Sequence, residues 1–127
     1  MATGFNKIAL PSGGIGTFEI QILNGTSTPA NAIAGANNKK IYAVDIDARD
    51  NPTEDVYQKF WDAASATPGT DDEYMGLLGK AGRVTSYLFP RGKNFATDIS
   101  TATTKEAIGN ASATSPTGTV KVYLILG

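Results

Sequence analysis

The sequence predicts an all-β protein, an antiparallel β-sandwich of jelly-roll-like type, on three observations. Short runs with apolar residues at every second position recur along the chain. Clusters rich in Gly, Pro, Asn, Asp and Ser separate those runs. Strands do not alternate with long helical patterns, as they would in a parallel βαβ sheet. Jelly-roll and immunoglobulin-like orders share these signals, so the strand order stays open at this point.

Residues 5–10 alternate moderately and read as a first strand, or as an extended N-terminal arm that adds a strand to a neighbour. In residues 17–23, Phe18, Ile20 and Ile22 share one face, with Glu19 and Gln21 opposite. Residues 24–40 are small and polar, a long loop or a boundary, and they divide an N-terminal part (1–40) from a sandwich body (41–127) within a single domain. In residues 41–48, Tyr42, Val44 and Ile46 lie together while Asp45 and Asp47 face away. Residues 83–89 form a further run bounded by Gly82 and Pro90, and Phe95 and Ile99 mark another over 95–103. The clearest strand spans 119–126: Val120, Val122, Leu124 and Leu126 share one face, and Lys121, Tyr123 and Ile125 the other.

Residues 51–74, NPTEDVYQKFWDAASATPGTDDEY, admit two readings. A short helix would use Asn51 as N-cap, Pro52 as first residue and Glu54 to close a capping box, with Val56, Tyr57, Phe60 and Trp61 as its apolar face. A strand would instead set Tyr57, Lys59 and Trp61 against Val56, Gln58 and Phe60, and its aromatic and β-branched content suits a pleated surface.

Composition narrows the function classes. A chain of 127 residues can bury a real core as one domain. Eleven basic and 12 acidic residues give a net charge of -1, and no basic stripe interleaves with aromatics, so no nucleic-acid partner is expected. No apolar run approaches the roughly 18 residues of a membrane span, and the N-terminus lacks the charged and apolar regions of a signal peptide, so neither membrane nor secretion is expected. The sequons at Asn24 and Asn110 then read as chance. There is no Cys, and no His to serve as general base, metal ligand or partner of a Ser nucleophile. No catalytic set, and no cofactor, is expected.

Three motifs invite chemistry and fall short of it. Asp45, Asp47 and Asp50 are the metal candidates, but Arg49 occupies the fifth position of an EF-hand spacing and no Gly follows, so a solvated strand edge explains them better. Asp71, Asp72 and Glu73 read as loop solvation or as contacts to a neighbouring basic residue. The stretch PSGGIGTF lacks the Lys and the glycine spacing of a phosphate cradle. Among the aromatics, Tyr57 and Trp61 would stack on sugars if exposed, and core packing is the simpler role.

One resemblance covers residues 41–126. The pieces are Tyr57-Gln58-Lys59-Phe60-Trp61-Asp62-Ala63, Thr67-Pro68-Gly69-Thr70, Phe89-Pro90-Arg91-Gly92 with Phe95-Ala96-Thr97-Asp98-Ile99-Ser100, and the closing strand from Val120 to Ile125. Together they resemble small tailed-bacteriophage virion accessory proteins of the capsid decoration or cement kind. The chain departs from that pattern at Glu54-Asp55 and at EYMGLLGK. The resemblance favours the strand reading of residues 52–66. It further implies a non-enzymatic virion protein, made in the bacterial cytoplasm and placed on the capsid surface. Its partners would be the major capsid protein and copies of itself, a trimer being the expected number. Interface candidates are Phe5, Ile8, Leu10, Tyr57, Trp61, Arg91 and Lys93. The alternative is a host-recognition or carbohydrate-binding module of a tail fibre or spike.

Overall fold

The computed structural model describes residues 6–9, 18–35 and 38–127, with strands only and no helix among them. Eight strands run in the order β1 (Asn6–Ala9), β2 (Glu19–Asn24), β3 (Lys40–Asp47), β4 (Val56–Asp62), β5 (Met75–Gly79), β6 (Val84–Asn94), β7 (Ile99–Thr104) and β8 (Lys121–Leu126). They form two antiparallel sheets, one ordered β1-β2-β8-β3-β6 and the other β5-β4-β7. Ala30 adds an isolated bridge to Thr101 of β7, standing where a fourth strand of the smaller sheet would run. With that segment counted as the strand after β2, the connectivity is the double Greek key of a jelly roll, and β1 is an extra edge strand.

The core lies between the sheets and follows from the period of two. Val122, Leu124 and Leu126 of β8 are fully buried, as are Val44 and Ile46 of β3 and Val56 and Phe60 of β4. Residue Tyr87 of β6 also faces inward, and its hydroxyl donates to the carbonyl of Leu78 in β5 at 2.6 Å, tying the two sheets together. Part of the interior is polar. Gln58 donates to Thr101 Oγ1 at 2.6 Å, Thr103 Oγ1 donates to Gln58 Oε1, and Thr101 Oγ1 donates to the Lys59 carbonyl at 2.7 Å. The hydroxyls of Thr101 and Thr103 and the Gln58 amide persist in the core because each finds a partner.

Strand β2, from the N-terminal part, pairs with β8 along its whole length, from Glu19↔Leu126 to Asn24↔Lys121. Several other sequence expectations meet corrections here. In β2, Gln21 is fully buried, whereas Ile20 and Ile22 are only half-buried and lie on the opposite face. The pairing Gln21↔Leu124 sets this, since Leu124 points into the core and directly opposed residues share a face. A register shift between Ile41 and Ala43 puts Ile41 in the core with Val44 and Ile46, and leaves Tyr42 half-buried. Strand β6 does not stop at Pro90 but continues to Asn94. Pro90 is tolerated because β6 is an edge strand, and Gly92 at φ 77° carries the irregularity past Lys40 and Tyr42. Residues 56–62 are the strand β4. Asn51 does not cap a helix: its amide donates to the Glu54 carbonyl at 3.0 Å, and its Oδ1 accepts from the Gly118 amide at 2.7 Å.

Candidate functional site

The two sheets present outer faces of opposite character. On the smaller sheet, Tyr57, Lys59 and Trp61 of β4 point outward, with Ala102 and Ser100 of β7 opposite Lys59 and Trp61. Loops roof this face. Trp61 is 2% exposed, and its Nε1 donates to the Asp71 carbonyl at 3.1 Å. Asp71 holds that loop in shape by accepting from the Thr67 amide at 2.7 Å. The loop after β7 brings Ile108 over Gly76 of β5, close enough that a Cβ there would overlap Ile108 Cδ1. Beneath this roof the Lys59 side chain is fully buried, its Nζ 3.7 Å from Glu73 Oε1, whose side chain is 5% exposed, and with no hydrogen-bond partner.

Roofing changes the sequence reading of two candidates. Trp61 is closed off from any ligand, so an aromatic platform built on it is not available, and Tyr57 is half-buried. The acidic run of Asp71, Asp72 and Glu73 edges a hollow of about 40 Å³ with Gly69, Thr70, Gly109 and Asn110. Glu73, however, is turned inward to the chain's own Lys59 instead of outward to solvent or a neighbour. Spacing alone gave no sign that Lys59 would be buried; its place between Tyr57 and Trp61 on one β4 face was the available hint.

The metal candidates do not converge. Asp47 is engaged by Arg49, with Nε to Oδ1 at 3.0 Å and Nη2 to Oδ2 at 2.8 Å. That hydrogen bond holds the Asp47 carboxyl below its usual value. Asp45 is paired across the sheet with Tyr123 and Ser86, and Asp50 lies exposed in the following turn. Among the described residues no group of three His, Cys, Asp or Glu is placed to hold a metal ion.

Of the interface candidates, Phe5 and Leu10 lie outside the described residues, and Ile8 is described only through its backbone pairing with Ile20. Arg91 is exposed, and Lys93 sits over the Tyr74 ring at 4.6 Å from its centroid. Both belong to an open, mainly apolar hollow along Phe89, Pro90 and Gly92.

Among the described residues, the outer face of the five-stranded sheet carries the larger apolar feature. Inward residues Gln21, Leu124, Val44 and Tyr87 form one cross-strand row, so the adjacent row faces out. That outward row reads Ile20, Ile125, Ala43, Leu88, with Leu88 74% exposed. Tyr123 and Ile22 stand opposite each other one row along, and Phe18 meets Tyr42 edge-on at 5.3 Å on the other side. The signal for this surface is present in β8, where Tyr123 and Ile125 make a second apolar face behind the core-facing valines and leucines.

No family model matches the chain, and no curated protein matches it either. Among solved structures the chain is similar to a protein of Bacillus endospore appendages, described as a novel family of disulfide-linked pili. The identity is 18% and the TM-score 0.40, over 99% of this chain and 93% of the other. A similarity at that level assigns no function.

Proposed function

We propose that this chain is a non-enzymatic structural subunit of a bacteriophage virion, a capsid decoration or cement protein that self-associates and docks on the head shell. The observation that carries a binding role is the contrast between the two outer faces. Loops close over the smaller sheet, while the larger one presents an apolar row across its strands with Leu88 74% exposed. The phage assignment itself rests on the sequence resemblance over residues 41–126. In this reading the subunit forms a closed symmetric homo-oligomer, and the shell partner is the major capsid protein. A decoration subunit acts by spreading load between neighbouring shell subunits, which requires a rigid body with more than one contact surface. A sandwich tied across its sheets by Tyr87 and across its loops by Asn51 and Glu54 suits that task.

The test is co-sedimentation of purified protein with empty shells of the parent particle, alongside a glycan array. Saturable shell binding without glycan binding is the expected result. Glycan binding without shell binding would overturn the proposal in favour of a host-recognition module acting through its loops, since Trp61 is closed off.

A further inference from the structure

We infer that the outer face of the five-stranded sheet is the surface through which copies of this chain associate with one another. This rests on the structural-subunit reading for its biological setting, and on geometry for its location. The row Ile20, Ile125, Ala43 and Leu88 runs without a polar interruption over four neighbouring strands. In a sandwich with one solvated face, outward positions alternate to polar residues. Here the reverse holds in β2: the amide Gln21 is in the core, with Oε1 lacking a hydrogen-bond partner, while two isoleucines face out.

Charge and area both point to a second copy as the occupant. The apolar row is flanked towards one end by Asp45 and Asp47 on β3 and by Lys121 on β8, with Arg49 just beyond. This margin carries two acidic and two basic groups, so an identical surface brought against it meets no excess of one sign. A face committed to nucleic acid or to an anionic lipid surface would instead be biased to basic residues. Five strands spaced about 4.8 Å apart, with outward rows about 6.8 Å apart, give a face of roughly 500 Å² over three rows. Two such faces in contact would bury on the order of 1,000 Å² in all, the lower end of the range for specific association. The contact is therefore concentration-dependent and sensitive to single charges placed in the row.

Sedimentation equilibrium of the full chain tests this, with Leu88→Lys, the double variant Leu88→Lys/Ile125→Lys, and Ala107→Lys as a charge control on an exposed loop away from the face. Leu88 is exposed enough that its replacement leaves the fold intact, and circular dichroism checks the double variant. The wild type and Ala107→Lys are expected to self-associate, Leu88→Lys to weaken association at least tenfold, and the double variant to sediment as a folded monomer. A monomeric wild type at high concentration, or Leu88→Lys and the double variant associating like wild type, overturns the inference. Shell binding by the same proteins separates the two claims. If wild type associates through this face yet binds no shell, the decoration reading fails while the self-association face stands.

Discussion

Lys59 is the residue whose environment departs furthest from its chemistry. A fully buried ammonium 3.7 Å from Glu73, with no hydrogen bond, gains less from its partner than a close bonded pair would. Removing one partner strands the other charge. Lys59→Met is therefore expected to lower unfolding free energy by about 3 kcal/mol, whereas Lys59→Met/Glu73→Leu returns most of it. Urea denaturation of the two variants checks this, and equal losses in both would contradict it. Asp62 is the opposite case. Burial raises the pKa of its carboxyl, but hydrogen bonds from the amides of Thr97, Ala96 and Asp98 outweigh that and hold it below 3.8. Its stabilisation is complete above that ordinary value and is lost as pH falls through the lower folded-state value. Asp62→Asn is expected to cost about 1–2 kcal/mol at neutral pH. It should also flatten the acid limb of stability against pH; an unchanged acid limb would show that the three amides do not depend on the charge. Neither role was legible from the sequence, where Lys59 and Asp62 are ordinary members of an amphipathic run.

At the scale of elements, β5 is the instructive strand. Met75–Gly79 has two glycines in five residues and so carries little strand signal. The structure explains both: Gly76 lies under Ile108, and a Cβ at Gly79 would sit 2.6 Å from Ile46 Cγ2. Gly76→Ala is expected to destabilise by about 1–3 kcal/mol through overpacking against Ile108. Pairing it with Ile108→Ala should recover part of that loss, and a double-mutant cycle by thermal denaturation measures the coupling. Strict additivity would mean that Ile108 does not close over β5. The other elements were legible in proportion to their alternation. β8 was plain because its three inward positions, Val122, Leu124 and Leu126, are all Val or Leu. β4 was ambiguous because its aromatics suit a helix face and a strand equally, and only pairing with β5 and β7 decides between them. β6 was cut short because Pro90 signals a stop wherever edge position is unknown.

For the whole molecule, the sandwich class was legible but the partition of its apolar residues was not. Alternation says which residues share a face and is silent on which face looks inward; in β2 that choice came from pairing with β8, which put Gln21 inside. In β2 the surface proposed for self-association was hidden for the same reason, since alternation groups Ile20 with Ile22 without saying which way they face. A particle built with this subunit should lose it when association is blocked, so Leu88→Lys/Ile125→Lys is expected to leave fewer copies on assembled shells than Ala107→Lys, as quantified by gel densitometry of purified particles. Equal occupancy would separate shell docking from self-association. The central claim, that this is a subunit of the capsid surface, is tested most directly by electron microscopy of particles carrying a labelled copy. The account predicts label distributed over the head at regular, symmetry-related positions. Label confined to the tail tip or fibres, or absent from the particle, would contradict it.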